Sequence, residues 1–250
     1  MPVTFPGHLS ESERFMKSSP ISPIHSQEGR SRILAGSLFL MFFALLLRRG
    51  RLLWQPLWWD EGYSVYFATE PLARMVQLTA RDIHPPLYYA LLHGWLLMWG
   101  DASPLALRTL SILIGLAAAP AIWWLAYTLF PRRTRLPWLA AVLLAISPMH
   151  VFYSQEVRMY GLEMLLGVLA TGLFWRLRTR QAGNGTLLAY VLVSAALLYT
   201  EYYAGFLLLA HYLWALGLHL RPQTRRLAPS LARLGLAGLG IGLLYTPWLL

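Results

Sequence analysis

Eight apolar runs are the feature of this sequence that most restricts its fold. They cover residues 33–47, 85–99, 107–130, 136–153, 160–175, 186–200, 203–220 and 231–249. A soluble domain usually carries about 25% charged residues, whereas this chain carries 13% and is 57% hydrophobic. Because a spanning helix needs about 20 mostly apolar residues, the runs predict an all-α integral membrane protein.

The basic residues lie in short clusters between the apolar runs. Clusters at 132–135, 176–180 and 221–226 fall in alternate loops, so they share one side of the membrane. The positive-inside rule assigns that side to the cytoplasm. The net charge of +10 therefore reflects membrane topology and does not predict a nucleic-acid partner.

The positive-inside rule also places the N-terminal tail and shows that one apolar run does not cross the membrane. Residues 1–30 are rich in Ser, Pro and charge and predict a disordered cytoplasmic tail, so the membrane module covers 31–250. The tail and the cluster at 132–135 share a side only if one of the first three runs does not cross. We assign 85–99 as that run, a juxtamembrane or re-entrant helix. The result is about seven transmembrane helices plus juxtamembrane helices in a long first extracytoplasmic loop.

Four polar stretches fall on or near the outer side of this topology. They are the pair Asp60-Glu61, the segment 82–89 (DIHPPLYY), the segment 153–160 (YSQEVRMY) and the segment 199–203 (YTEYY). A carboxylate pair beside an apolar segment loses solvation energy unless something binds there. The alternative interpretation is an interfacial loop whose tryptophans form an aromatic belt while the acids face water. The chain has no cysteine, which excludes disulfides, thiolate metal sites and a Cys nucleophile.

In order and spacing, these stretches resemble motifs of the GT-C class of membrane glycosyltransferases, in the family thirty-nine or protein O-mannosyltransferase-like group. In that group an Asp-Glu pair opens the first outer loop, an H-P-P-L-Y-Y or K-P-P-L-Y-Y stretch follows, and a motif like S-Q-E-A-R-M-Y lies in a later outer loop. The resemblance implies inverting transfer of a sugar from a polyprenyl-phosphate donor to an acceptor hydroxyl. The reaction would take place on the extracytoplasmic face of the cell membrane, in a multi-pass protein within the lipid bilayer.

The resemblance also implies roles for single residues. Asp60 is expected to take the acceptor proton, with Glu61 orienting it or binding acceptor. Glu156 is expected to hold Arg158, bind sugar hydroxyls, or join Asp60 around a metal. The cations expected beside the leaving phosphate are Arg158 and His84. The remaining predicted substrate contacts are Tyr88, Tyr160, Glu201 and Tyr202, although Glu201 stands where relatives of this kind carry His.

Each of these residues has a simpler structural explanation. The His84-Pro85-Pro86 stretch fits a helix start, and Glu156 with Arg158 fits a surface ion pair. The tyrosines fit interfacial anchors. Asp60, Glu61 and Glu156 are hard oxygen ligands that suit Mg²⁺ or Mn²⁺, but their spacing does not decide between a metal site and a metal-free site stabilised by arginine.

Two other kinds of function remain open at the level of sequence. One is a transporter or flippase of a lipid-linked anion, and the other is an inactive structural membrane module. The sequence does not distinguish a lipid, a glycan or a protein as the acceptor, nor does it identify the sugar. Relatives of this kind continue beyond a seventh span, so we expect an N-terminal module, either a fragment or an incomplete enzyme.

Overall fold

A computed structural model describes residues 27–50, 52–178, 182–224 and 228–250. In these ranges all regular structure is helical, as the apolar runs predict. The helices are α1 (Gln27–Arg49), α2 (Trp59–Thr69), α3 (Leu72–Thr79), α4 (Leu87–Trp99), α5 (Pro104–Leu129), α6 (Leu136–Ile146), α7 (Pro148–Tyr153), α8 (Tyr160–Leu177), α9 (Asn184–Leu198), α10 (Ala204–Leu220) and α11 (Leu231–Leu249).

The chain divides into two compact units, residues 1–39 and residues 40–250. The first unit is described only from Gln27, where α1 begins. The last four residues of the predicted disordered tail are therefore helical, and residues 1–26 lie outside the described ranges. Part of the basic clusters, at 180 and 225–226, also lies outside them.

The second unit has three apolar clusters, of which one supports the polar stretches. That cluster joins α2, α3, α4 and α5 to residues 157–159 and the start of α8, and its fully buried members include Met75, Leu92, Leu107 and Val157. A second cluster joins the end of α1 to α5 and α6. The third is formed by α8, α9, α10 and α11.

Local sequence signals set the ends of several helices near the site. The Ser103 hydroxyl accepts from the amide of Ala106 and caps α5, which begins at Pro104. Helix α4 ends at Gly100, whose φ of +91° is in the left-handed region where glycine is favoured.

Two helices of the described chain are long and apolar enough to cross a membrane, judged by length and composition alone. They are Ser31–Arg49 and Pro104–Leu129. Shorter apolar helices are Leu136–Ile146, Asn184–Leu198 and Ala204–Leu220. The all-α class is thus confirmed, and seven spans stay a prediction.

The run 136–153, which we expected to form one span, is broken into α6 and α7. Ser147 leaves helical geometry, with φ −59° and ψ 120°, and caps α7. The cause is Pro148, because a proline lacks an amide hydrogen and disfavours helical geometry in the preceding residue. Helix α6 alone has 11 residues, or about 16 Å, roughly half of a hydrocarbon core.

The run 85–99, assigned as the run that does not cross, forms a helix that is short for a span. Helix α4 has 13 residues, fewer than the roughly 17 that a spanning helix needs. Its Tyr88, Tyr89 and Leu92 side chains are buried against neighbouring elements. Helix α4 therefore packs against α2, α3 and α5, and whether it crosses a membrane stays a prediction.

Candidate active site built from four polar stretches

A buried ion pair between Glu61 and Arg108 holds the site together. Glu61 is fully buried, in the first turn of α2, and Arg108 is near the start of α5. Arg108 donates from Nη2 to Oε2 of Glu61 at 3.0 Å and from Nε to Oε1 at 3.3 Å. This bidentate geometry is the strongest form of an arginine–carboxylate pair.

Glu61 also accepts two backbone hydrogen bonds. Its Oε2 accepts from the amide of Trp58 at 3.2 Å, which closes the first turn of α2. Its Oε1 accepts from the amide of Val157 at 3.0 Å, 96 positions along the chain. Both carboxylate oxygens of Glu61 are therefore occupied, and its place is structural, joining α2 to the loop that carries Glu156 and Arg158.

Arg108 extends the same network to the segment before α2. Its Nη1 donates to the carbonyl of Gln55 at 3.0 Å and to that of Leu52, and its Nη2 lies 3.4 Å from the carbonyl of Pro56. Buried carbonyls need such donors. One guanidinium thus shapes the segment 52–58 and positions Glu61.

Arg158 is a buried cation without a carboxylate partner in the described part of the chain. It is 4% exposed, and its Nη1 donates to the backbone carbonyl of Asp60 at 3.3 Å. Its Nη2 lies 3.3 Å from Nε2 of His84, and its Nε has no hydrogen-bond partner among the residues that the structure describes. A buried charge is costly unless it is paired, so this guanidinium is suited to receive an anion.

His84 connects Arg158 to two further acids. Its Nδ1 lies 3.4 Å from Oδ2 of Asp82 and its Nε2 lies 4.0 Å from Oε2 of Glu201. Since the Arg158 guanidinium only donates, a contact with it requires Nε2 to accept and Nδ1 to donate to Asp82. Neutral His84 in that tautomer orients Arg158.

Asp60 and Glu156 are the two carboxylates of the site whose oxygens are free. Asp60 is half-buried, and within the described ranges its carboxylate forms no hydrogen bond or ion pair, unlike its backbone carbonyl. Glu156 is 8% exposed, and its Oε2 has no hydrogen-bond partner in the described part of the chain. Burial and the nearby charge of Glu61 raise the pKa of Glu156 from its ordinary 4.5 to about 7.

Two adjoining cavities open beside Glu156. One, of about 240 Å³, is lined by Glu61 and Arg108 among others, and one, of about 250 Å³, by Tyr160 among others. They share Gln55, Trp58, Phe152 and Glu156. Glu156 therefore lines both cavities, and its Oε2, which has no partner among the described residues, is buried beside them.

The predicted tyrosine contacts fall in different places. Tyr160 lines a cavity, and the guanidinium of Arg158 lies 5.6 Å from its ring centroid. Tyr202 is 41% exposed and its hydroxyl accepts from Trp248 at 3.0 Å. Tyr88 is 1% exposed and bonded to Ser111 at 2.8 Å, so it belongs to the core and does not line either cavity.

A metal site has no clear support from the donor set. No group of three or more His, Cys, Asp or Glu side chains in the described ranges is arranged to hold a metal ion. Glu61, the acid adjacent to Asp60, already has both oxygens engaged. The choice between Mg²⁺ or Mn²⁺ and a metal-free site stays open, and the geometry favours arginine as the source of positive charge.

Sequence reasoning missed Arg108 and the residues of the segment 52–58. Arg108 was counted within an apolar run, although a charge within the first two turns of such a run is itself a functional signal. Trp58 was considered only as part of a tryptophan-rich interfacial stretch, and Gln55 was given no role. Tyr89 was also missed: its hydroxyl is buried without a partner, and burial raises its pKa while the Arg158 charge lowers it.

No protein-family model matches the chain, and no curated protein and no solved structure matches it. The family suggested by the motifs therefore stays a prediction.

Proposed function

We propose that this chain is an inverting membrane glycosyltransferase that moves a sugar from a polyprenyl-phosphate donor to an acceptor hydroxyl. In this proposal the protein crosses the cell membrane about seven times and its site faces the extracytoplasmic side. The observation that carries the proposal is the proximity of a buried cation and a residue with an available carboxylate. Within the described ranges the buried guanidinium of Arg158 has no carboxylate partner, and it donates to the backbone carbonyl of Asp60, whose own carboxylate forms no hydrogen bond or ion pair there.

The guanidinium suits the leaving group. When the bond between the anomeric carbon and the phosphate oxygen breaks, the electron pair stays on the lipid phosphate and its negative charge grows. Arg158, oriented by His84, supplies fixed positive charge there, and such preorganised charge is commonly the largest contribution to catalysis. The free Nε of Arg158 leaves a donor for the phosphate.

The free carboxylates suit the acceptor. As the acceptor oxygen attacks the anomeric carbon from the opposite face, its proton passes to a carboxylate, which we assign to Asp60. General-base catalysis of this kind contributes about 10²- to 10⁴-fold. Glu61 does not share this role, since both its oxygens are occupied, and it acts by holding the loop of Arg158 against α2.

A transfer assay in proteoliposomes tests the proposal. The chain is reconstituted with a polyprenyl-phosphate sugar labelled in the sugar, and released lipid phosphate and transferred label are both measured. Asp60→Asn should lower transfer by about 10²-fold or more, while Asp101→Asn, which changes an exposed carboxylate outside the site, should leave it unchanged. Equal transfer by wild type and Asp60→Asn would remove the proposed base, and flux of intact donor without transfer would favour a transporter.

A further inference from the structure

The cavity of about 240 Å³ beside the Glu61–Arg108 pair has the lining of a carbohydrate site. The indole rings of Trp54 and Trp58 supply apolar faces, and the amides of Gln55 and Gln155 supply polar contacts. An indole ring presents a broad apolar surface, which matches the C–H face of a sugar ring, while amides match its hydroxyl edge. The residues of the cavity thus combine the two surfaces that a sugar ring has.

Gln155 is fixed in one orientation. Its Nε2 donates to the carbonyl of Arg48 at 2.6 Å and to the carbonyl of Gly50 at 2.9 Å. Both amide hydrogens are thereby used. The amide oxygen remains as an acceptor for a ligand hydroxyl in the cavity that Gln155 lines.

The charges of the lining favour a neutral ligand. Glu61 and Arg108 neutralise one another through their bidentate contact, and the guanidinium donors are directed to that carboxylate and to backbone carbonyls. Glu156, the other titratable group of the wall, has a pKa raised to about 7 by burial and by Glu61. Below pH 7, where the Glu156 carboxyl is mostly protonated, an anion or a cation entering this cavity would find no uncompensated opposite charge.

Glu156 supplies the observation that points to a ligand. The residue is more than nine-tenths buried and lines both cavities, and one of its carboxylate oxygens has no partner within the described ranges. Buried polar atoms in folded proteins nearly always have a partner, and a ligand hydroxyl would supply it. The volume is below the roughly 300–1,000 Å³ of sites for drug-sized ligands, which fits one sugar ring and not a polypeptide segment.

We propose that this cavity binds a terminal ring of a neutral saccharide acceptor, with the ring on Trp58 and a hydroxyl on Glu156. The inference deepens the proposed function, because it selects a glycan among the acceptors that the motifs leave open. It rests on the proposed function for the role of the bound saccharide as the sugar acceptor. A protein or lipid acceptor would not need two indole faces and two amides around one small volume.

Binding of neutral methyl glycosides to the purified chain in lipid nanodiscs tests the site. Ligand-observed NMR compares methyl glycosides of neutral hexoses and pentoses with glucuronic acid and with an N-acetylserine amide. At least one neutral glycoside should bind, and Trp58→Ala and Glu156→Ala should each weaken it by roughly tenfold, the equivalent of about one hydrogen bond or ring contact. Trp59→Ala, on an exposed indole outside this cavity, should leave binding unchanged.

Gln55→Ala is a second variant that should weaken glycoside binding without unfolding the protein. The Gln55 side chain is exposed and lines both cavities, and its backbone carbonyl, which Arg108 uses, survives the substitution. Weaker glycoside binding with an unchanged thermal midpoint supports the site. Absence of binding by every neutral glycoside, equal binding by Trp58→Ala, or preference for glucuronic acid or the serine amide would overturn it.

The two proposals fail in different ways. If glycosides bind and the wild type transfers no sugar, the proposed function fails and the cavity stands as a saccharide site. If the wild type transfers sugar to a peptide or lipid hydroxyl and glycosides do not bind, the inference fails and the proposed function stands.

Discussion

Replacing Glu156 by glutamine should stabilise the protein at pH 8 and have little effect at pH 5. The carboxyl is buried near Glu61, which raises its pKa from 4.5 to about 7. In the unfolded chain the group ionises near its ordinary pKa, so above pH 7 the folded protein bears an ionised carboxylate that it disfavours. Below about pH 4.5 the group is protonated in both states and the penalty is absent. The contribution of Glu156 to the free energy of unfolding therefore falls as pH rises from about 4.5 to 7.

The size of the effect follows from the same values. A tenfold change in proton affinity is worth about 1.36 kcal/mol, so moving the pKa from 4.5 to about 7 corresponds to at most about 3 kcal/mol. For chains of 150–250 residues, 1 kcal/mol shifts the thermal midpoint by roughly 2–4 °C, which gives a gain of about 6–12 °C at pH 8. Glutamine keeps the shape of the protonated carboxyl and cannot ionise.

Thermal unfolding in nanodiscs measures this effect as the difference between wild type and Glu156→Gln at each pH from 5 to 8. The other titratable groups are common to both proteins, so their contributions cancel in the difference. Infrared spectra should also show a protonated carboxyl band at pH 6 in the wild type that is missing in the variant. A midpoint difference that is constant with pH, or that favours the wild type at pH 8, would refute the reasoning.

Three further predictions concern the framework of the site. Arg108→Gln should lower the free energy of unfolding by about 3–5 kcal/mol, because it leaves the Glu61 carboxylate buried without its cation; the double variant Glu61→Gln/Arg108→Gln should be more stable than Arg108→Gln alone in thermal unfolding, and additive losses would argue against the pair. Tyr88→Phe should cost about 1 kcal/mol through its lost bond to Ser111, with sugar transfer unchanged; a large loss of transfer would return Tyr88 to the substrate site. Gly100→Ala should destabilise by about 1 kcal/mol, since alanine resists a φ of +91°, and an unchanged midpoint would show that the turn relaxes.

The sequence predicted that the polar stretches would converge, because alternate loops of the expected topology share a side of the membrane. The contact between Glu61 and the amide of Val157, and that between His84 and Arg158, join the predicted stretches as expected. The sequence did not reveal that the adjacent acids Asp60 and Glu61 have different hydrogen-bonding environments. Asp60 keeps its carboxylate free while Glu61 becomes the centre of a buried network, and only the tertiary position of Arg108 decides this.

The other differences have local causes. Tyr88 was predicted to contact substrate from the resemblance of its stretch to a family motif, but its position on α4 places its side chain in the core. The Ser147-Pro148 pair indicates the break between α6 and α7. The break was missed because the hydropathy of 136–153 is continuous. A run of apolar residues predicts burial or membrane contact, and does not by itself predict an unbroken helix.

The central claim is that Arg158 stabilises the negative charge on the leaving phosphate of a lipid-linked sugar. It is tested most directly by comparing wild type, Arg158→Gln and Arg74→Gln in proteoliposomes that contain a labelled polyprenyl-phosphate sugar. Arg74 is an exposed arginine paired with Glu70 and serves as the control. The account predicts transfer with inversion and release of lipid phosphate by the wild type and Arg74→Gln, and a loss of about 10²- to 10³-fold in Arg158→Gln. Equal rates for all three proteins would contradict it. Absence of sugar transfer by the wild type would contradict it as well.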